Sequence, residues 1–230
     1  IVVAAPLSDA APARVGSLPV MRVGPRQLTW IERAAKRAFD IAFASVALAL
    51  MSPVMLGCAI AIRLESAGPV IYRQRRYTTD GRLFVLYKFR SMRSDPEPTG
   101  EIRLTDRNDS RVTRVGAFLR RTSLDELPQF VNVLQGHMSV VGPRPHPPGV
   151  KVGDRVYEEV IANFADRYVV KPGITGWAQV SGLRGNTFTE RHLEERFSAD
   201  LEYIRNWCLS LEILIVLKTV FGGFAGKNAF

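Results

Sequence analysis

The longest apolar stretch of the chain runs over 41–62, about 22 positions without a charged side chain, enough to cross a bilayer as a straight α-helix. Ser52-Pro53 interrupts it near the middle. Proline removes a backbone donor and crowds the preceding turn, so a kink is predicted there. Lys36 and Arg37 precede the run and Arg63 follows it, so the charge of its flanks sets no orientation. A membrane span and a re-entrant hairpin over 39–63, broken at Ser52 and Pro53, both satisfy this pattern. In the hairpin, Ser52 or burial against protein satisfies the carbonyls that proline frees. A buried core helix is disfavoured by the length of the run. Just upstream, 30–37 is amphipathic, with Trp30 suited to an interface and Arg33, Lys36 and Arg37 to lipid headgroups.

The remaining periodicities predict smaller elements. Residues 1–28 are rich in Pro, Ala, Gly and Arg without a sustained period, and read as a linker or the remnant of a preceding domain. That leaves 29–230 as one domain. Strands are predicted at 70–73 and 83–91 around a turn at 79–82, where Asp80-Gly81 is a hairpin signal. In the second strand Lys88 and Arg90 share one face, and Tyr87 and Phe89 the other. The polar stretch 94–109, with Pro96 and Pro98, reads as a mobile loop. Helical patterns follow at 115–121, 126–134, 156–165 and 190–207. Residues 209–221 are strongly apolar but short for a span, so a packed or interfacial helix is expected. The fold class is α+β and mainly helical: a membrane-embedded re-entrant hairpin, amphipathic interfacial helices and a small β-hairpin.

Composition narrows the function. Hydrophobic residues make up 47% of the chain, which excludes the disordered class. The net charge of +9 points to nucleic acid, anionic lipid or phosphate-bearing substrates. With no RNP motif, no zinc finger and a long membrane segment, nucleic acid is set aside. Two cysteines, Cys58 and Cys208, form no disulfide framework, and the scattered His137, His146 and His192 form no histidine metal site. The chain opens on Ile1, and 1–6 read as the end of a strand entering a loop, so a longer parent protein is expected.

The chemistry concentrates in Ser123-Leu124-Asp125-Glu126-Leu127-Pro128-Gln129. Ser123-x-x-Glu126 matches a capping box, while Pro128 argues for a later helix start; either way the acidic pair falls in a first turn, where free N–H groups favour anions. Acidic residues at helix starts commonly do no more than complement the dipole. Here, however, Arg111, Arg114, Arg120 and Arg121 precede the pair, and Arg144 follows it between two prolines. Two adjacent carboxylates among cations suit a divalent metal and a phosphate: one carboxylate holds Mg2+ and the other attacks phosphorus, giving a covalent phosphoryl intermediate. Lys88, Arg90, Arg120 and Arg144 are the candidate phosphate ligands.

Lys88-Phe89-Arg90-Ser91-Met92, the Ser123–Gln129 segment, Val141-Gly142-Pro143-Arg144-Pro145 and Lys171-Pro172-Gly173-Ile174-Thr175-Gly176-Trp177-Ala178-Gln179-Val180 occur in this order. Together they resemble the bacterial sugar transferases, the monotopic phosphoglycosyl transferases, over residues 30–230. Arg205-Asn206-Trp207 and the ending Lys227-Asn228-Ala229-Phe230 look like the large members, in which this domain follows transmembrane helices and a nucleotide-binding-like domain. The resemblance implies that Asp125 is the nucleophile on a UDP-sugar, releasing UMP, and that undecaprenyl phosphate then takes the phosphosugar. It implies that Glu126 is the Mg2+ ligand, that Arg120 and Arg144 serve the phosphate site, and that Lys88 and Arg90 border it. Ser52-Pro53 matches the break of a re-entrant helix, which favours the hairpin. Trp177 and Gln179 match a motif with a structural or sugar-nucleotide-facing role. His137 stands where smaller members often carry Asp, and His146 looks like the branch that transfers glucose 1-phosphate or galactose 1-phosphate for exopolysaccharide assembly. The implied location is the bacterial inner membrane, with the catalytic domain on its cytoplasmic face. The implied partners are a UDP-sugar, with UDP-glucose first, undecaprenyl phosphate, membrane lipid and a second copy of the chain. The competing readings are the same chemistry on UDP-galactose or another UDP-sugar, and a non-catalytic membrane scaffold of a polysaccharide complex.

Overall fold

A computed structural model describes residues 10–15, 18–93, 109–185, 187 and 189–222. The expected loop 94–109, except Asp109, and the 227–230 ending lie outside the described residues. Two strands, β1 (Ala10–Val15) and β2 (Leu18–Val23), pair antiparallel within the segment read from the sequence as a linker. Only two residues separate them, a spacing that favours local pairing over an extended connection.

Helix α1 (Trp30–Glu65) fuses the amphipathic stretch and the apolar run into 36 residues. Thr29 and Glu32 form its capping box, Thr29 Oγ1 accepting from the Glu32 N–H and Glu32 Oε2 from the Thr29 N–H. Among the described residues α1 is the helix long and apolar enough to cross a membrane, with a mean hydropathy of 2.2 over its most apolar window, of which 11% is buried. Pro53 lies inside it. Ser52 Oγ donates to Ala49 O at 2.9 Å, the carbonyl four residues before Pro53 that the proline leaves without its donor, as expected. The expectation for Lys36 and Arg37 needs correction. Lys36 is buried against Glu212, Tyr203 and the Val141 carbonyl, and Arg37 caps the Val133 and Leu134 carbonyls at 2.6 and 2.7 Å. Both are drawn inward because the first turns of α1 dock on the folded domain.

Strands β3 (Ile71–Tyr77) and β4 (Leu83–Phe89) form the expected antiparallel hairpin, with Tyr72 opposite Lys88. Then come α2 (Arg114–Thr122), α3 (Gln129–Leu134) and β5 (Ser139–Val141). The short strands β6 (Lys151–Val152) and β7 (Arg155–Val156) pair with each other. The 156–165 stretch, expected as a helix, is instead α4 (Tyr157–Val160) and a 3-10 segment, Phe164–Val169. Tyr157, Phe164 and Leu193 pack there into a separate apolar cluster, and that packing overrides the local helical period. Strand β8 (Gly173–Thr175) pairs parallel with β5, and α5 (Trp177–Val180), α6 (Glu190–Arg205) and α7 (Leu209–Gly222) complete the chain.

The main core joins α1, α3, β4, β5, α6 and α7 through Ala44, Leu86, Val133, Val141, Tyr203 and Ile215. A polar bridge fixes α3 against β4: the fully buried Asn132 accepts from the Tyr87 N–H at 2.9 Å and donates to the Val85 carbonyl at 2.7 Å, as a neighbouring strand would. Replacing Asn132 by Ala leaves two backbone groups without partners and is expected to cost about 2–4 kcal/mol, read as a lower denaturant midpoint at unchanged m-value. The parallel contact of β5 and β8 depends on close backbone approach. A Cβ on Gly142 would lie 2.4 Å from the Lys171 carbonyl oxygen, and one on Gly173 would lie 2.1 Å from the Gly142 nitrogen.

Candidate active site

Three segments distant in sequence converge on the acidic pair. Ser123 closes α2 in the left-handed region (φ 58°), and Leu124–Glu126 form a 3-10 turn ahead of α3. The expected Ser123–Glu126 capping box does not form. Ser123 makes no side-chain cap, and its Oγ accepts from Arg184 Nη2 at 2.7 Å. The physical reason is the tight reversal between α2 and α3, which uses Ser123 as the end of one helix rather than the start of the next.

Glu126 Oε1 accepts from Lys88 Nζ of β4 and from Arg144 Nη2 of the loop after β5, each at 2.8 Å. Burial alone would raise the Glu126 carboxyl, but the charges of Arg144 and Lys88 overcome it and hold it well below the usual carboxylate range. In turn, Glu126 raises the Arg144 guanidinium against the effect of its burial. Asp125 is 8% exposed, and among the described residues no donor holds its carboxylate oxygens. Burial pushes it up to about 6; Lys88 pulls it down and Glu126 pushes it further up, while Arg144 and Arg120 add smaller downward pulls. The pair therefore divides into one clamped carboxylate and one free carboxylate that ionises near neutrality.

Lys88, Arg120, Arg144, Asp125 and Glu126 are thus brought together. Arg90 is turned elsewhere. Its guanidinium donates to the Ser66 and Ala67 carbonyls at 2.7 and 2.6 Å, tying off the end of α1. Strand β4 ends at Phe89, so the alternation that put Arg90 beside Lys88 stops one residue short of it. Ser52 and Pro53 lie mid-helix in α1. Trp177 donates to Glu202 Oε2 at 3.0 Å beneath the Lys218 ammonium, and Gln179 donates to the Ile174 carbonyl, so that motif is bound into the packing of α5 on α6 and α7. His146 is buried among Tyr77, Tyr157, Phe164 and Tyr168, and burial brings it down to about 4, neutral at physiological pH. His137 is exposed, and its carbonyl accepts from Thr78 Oγ1.

Sequence reasoning missed several cations. Arg167 donates to the Arg144 carbonyl at 2.7 Å and pairs with Asp200 at 2.8 Å. Arg76 donates to the Pro145 carbonyl at 3.1 Å. Arg196 donates to the Gly185 carbonyl and Thr187 Oγ1. No motif marked these residues; the only available signal was an excess of arginine over local carboxylates.

The donor set fits Mg2+. Both cations on Glu126 use Oε1, so Oε2 and the adjacent Asp125 carboxylate remain as oxygen ligands, and magnesium commonly takes one or two carboxylates together with phosphate oxygens and waters. Among the described residues there is no group of three or more His, Cys, Asp or Glu that could hold a metal without a substrate's help.

A buried carboxylate without donors beside a clamped one, with Lys88, Arg120 and Arg144 around the pair, is an arrangement suited to phosphate-ester chemistry. The bacterial sugar transferase family matches residues 31–226, and the chain belongs to that family. It is 48% identical over 216 residues to the UDP-glucose:undecaprenyl-phosphate glucose-1-phosphate transferase of Escherichia coli K12, covering 94% of this chain and 46% of that protein. It is 43% identical over 220 residues to the undecaprenyl-phosphate glucose phosphotransferase of Komagataeibacter xylinus, covering 92% and 41%. The exopolysaccharide production protein PSS of Rhizobium leguminosarum bv. phaseoli is 44% identical over 195 residues, covering 85% of this chain and 98% of that protein. The chain thus spans under half the length of the first two relatives.

Proposed function

We propose that this domain transfers glucose 1-phosphate from UDP-glucose to undecaprenyl phosphate, releasing UMP, as a membrane step of exopolysaccharide synthesis. The observation that carries the reading is the division of labour in the pair. Asp125 is shielded and free of donors, whereas Glu126 is clamped by Lys88 and Arg144. The relatives' names supply the donor and acceptor classes.

An Asp125 carboxylate oxygen attacks the sugar-bearing phosphorus, and UMP leaves. The resulting phosphosugar-aspartyl group then passes to the lipid phosphate. Arg144, Lys88 and Arg120 neutralise the phosphate oxygens so that an anionic nucleophile can approach. Glu126, with Asp125 beside it, would hold Mg2+, which supplies further charge neutralisation on the diphosphate.

α1 enters and leaves the same leaflet in this reading, which keeps the site at the cytoplasmic headgroup level of the inner membrane. Phe43 and Cys58 lie roughly 22 Å apart along a straight helix. Yet the Phe43 ring centroid is 6.1 Å from that of Phe130, while Cys58 and Ile62 share a packed cluster with Leu124 and Leu127. Packing of both parts of α1 near 124–130 supports the hairpin reading, and Val46, Leu50 and Val54 between them are exposed. The exposed Ile213, Leu217 and Phe221 of α7 would rest on the same lipid surface. Single cysteines at 51–54 are expected to resist thiol labelling from the far side of the membrane; labelling from that side would overturn the hairpin.

The function is tested by UMP release in detergent with magnesium, undecaprenyl phosphate and a panel of UDP-sugars. Release that needs both the lipid and UDP-glucose is expected. Folded protein that releases UMP from no donor would sink the reading, and a preference for another donor would reassign the sugar.

A further inference from the structure

Two partly buried arginines near Arg144 make no ion pair with a carboxylate among the described residues. Arg76 spends its terminal nitrogens on the Pro145 carbonyl and Gln74 Oε1, and its Nε is buried without a partner. Among the described residues, Arg196 donates hydrogen bonds to the Gly185 carbonyl and Thr187 Oγ1, and the charge of Asp200 acts on it from a distance. By contrast, Lys88 and Arg144 share Glu126, and Arg167 pairs with Asp200. Arg76 and Arg196 converge on the Arg144 loop from opposite elements. Arg76 comes from β3 and grips the residue after Arg144. Arg196 lies one helical turn before Asp200, whose partner Arg167 grips the Arg144 carbonyl. Burial lowers each guanidinium to about 10, and the Arg144 charge is the next largest cause for both. Glu126 offsets Arg76 and Asp200 offsets Arg196 only in part, and retaining such cations in a shielded place is costly unless an anion joins them.

We propose that Arg76 and Arg196, with Arg144, form a single phosphomonoester site that the phosphate of the departing nucleotide and the phosphate of the incoming lipid occupy in turn. The inference rests on the transfer reading above and on in-line displacement. In the first step a bond forms from an Asp125 oxygen to the sugar-bearing phosphorus. The bond from that phosphorus to the bridging oxygen breaks, and its electron pair leaves on UMP. In the second step a lipid phosphate oxygen bonds to the same phosphorus, and Asp125 recovers its pair as a free carboxylate. No proton needs to move. Attacking and leaving oxygens lie roughly in line, so UMP leaves from, and the lipid phosphate enters at, the side opposite Asp125. Each presents a phosphate monoester to the same cations.

The test is steady-state kinetics of the chain in lipid nanodiscs, with UMP added as product inhibitor. UMP is expected to compete with undecaprenyl phosphate. Arg76→Gln and Arg196→Gln should each raise the UMP inhibition constant and the lipid KM in parallel, by about tenfold. Arg76→Lys and Arg196→Lys keep the charge, carry the test if a glutamine variant does not fold, and should give intermediate constants. UMP that fails to compete with the lipid, or variants that lose only kcat with both constants unmoved, would overturn the shared site. Wild-type protein that releases no UMP would instead overturn the transfer reading on which it rests.

Discussion

Asp125→Asn is expected to abolish UMP release, by at least about a thousandfold, because the amide nitrogen and oxygen cannot replace a carboxylate nucleophile. In the wild-type protein without lipid acceptor, UDP-glucose labelled in its sugar-bearing phosphate should leave label on the protein, and in Asp125→Asn it should not. Stability should move the other way. Burial raises Asp125 to about 6, so ionising it in the folded state is unfavourable, and the neutral isostere removes that penalty. A variant that is inactive yet at least as resistant to denaturant as the wild type is the expected pair of results. Appreciable turnover in Asp125→Asn would eliminate the nucleophile assignment. In the wild type, the first half-reaction should weaken as pH falls through about 6, because Asp125 then takes up a proton and loses the lone pair that attacks phosphorus.

Glu126→Gln is expected to cost about 10²–10³ in turnover and to raise the magnesium concentration needed for half-maximal rate. The substitution keeps the shape of the side chain but removes the anion shared by Lys88 and Arg144. It also changes the pH profile in a direction fixed by charge. Glu126 pushes Asp125 up, and Lys88 and Arg144 pull it down. With the Glu126 charge gone and both cations uncompensated, Asp125 should ionise more easily, so the acid limb of single-turnover UMP release should move below pH 6. An acid limb that stays in place in Glu126→Gln would show that a group other than Asp125 controls it.

The clustering of chemistry around Asp125 and Glu126 was legible in the sequence because it rested on residue types that have few other uses together. Lys88 and Arg144 were legible as candidates, but their shared grip on one oxygen of Glu126 was not, since β4 and the loop after β5 meet only when α3 is docked between them through Asn132. Arg90 shows the opposite case. Two-residue alternation put it beside Lys88, but the end of α1 captured it through the Ser66 and Ala67 carbonyls. Ser123 carried a capping signature that is real in sequence and unused in space, while Thr29 and Glu32, which carry the same signature, use it fully.

The sequence by itself determined the long apolar helix with its proline, the β3–β4 hairpin, the acidic pair and the arginine held between prolines. These follow from local rules: side-chain period, backbone restriction and the chemistry of adjacent residues. Only the tertiary structure decided which cation meets which anion. Lys36 found Glu212, 176 positions away, rather than lipid, and Arg76 and Arg196 were left within reach of the Arg144 charge with no ion pair to a carboxylate among the described residues. A charged side chain reaches several ångströms in any direction, so its partner is chosen by whatever packing brings near, and packing between distant segments leaves no period along the chain.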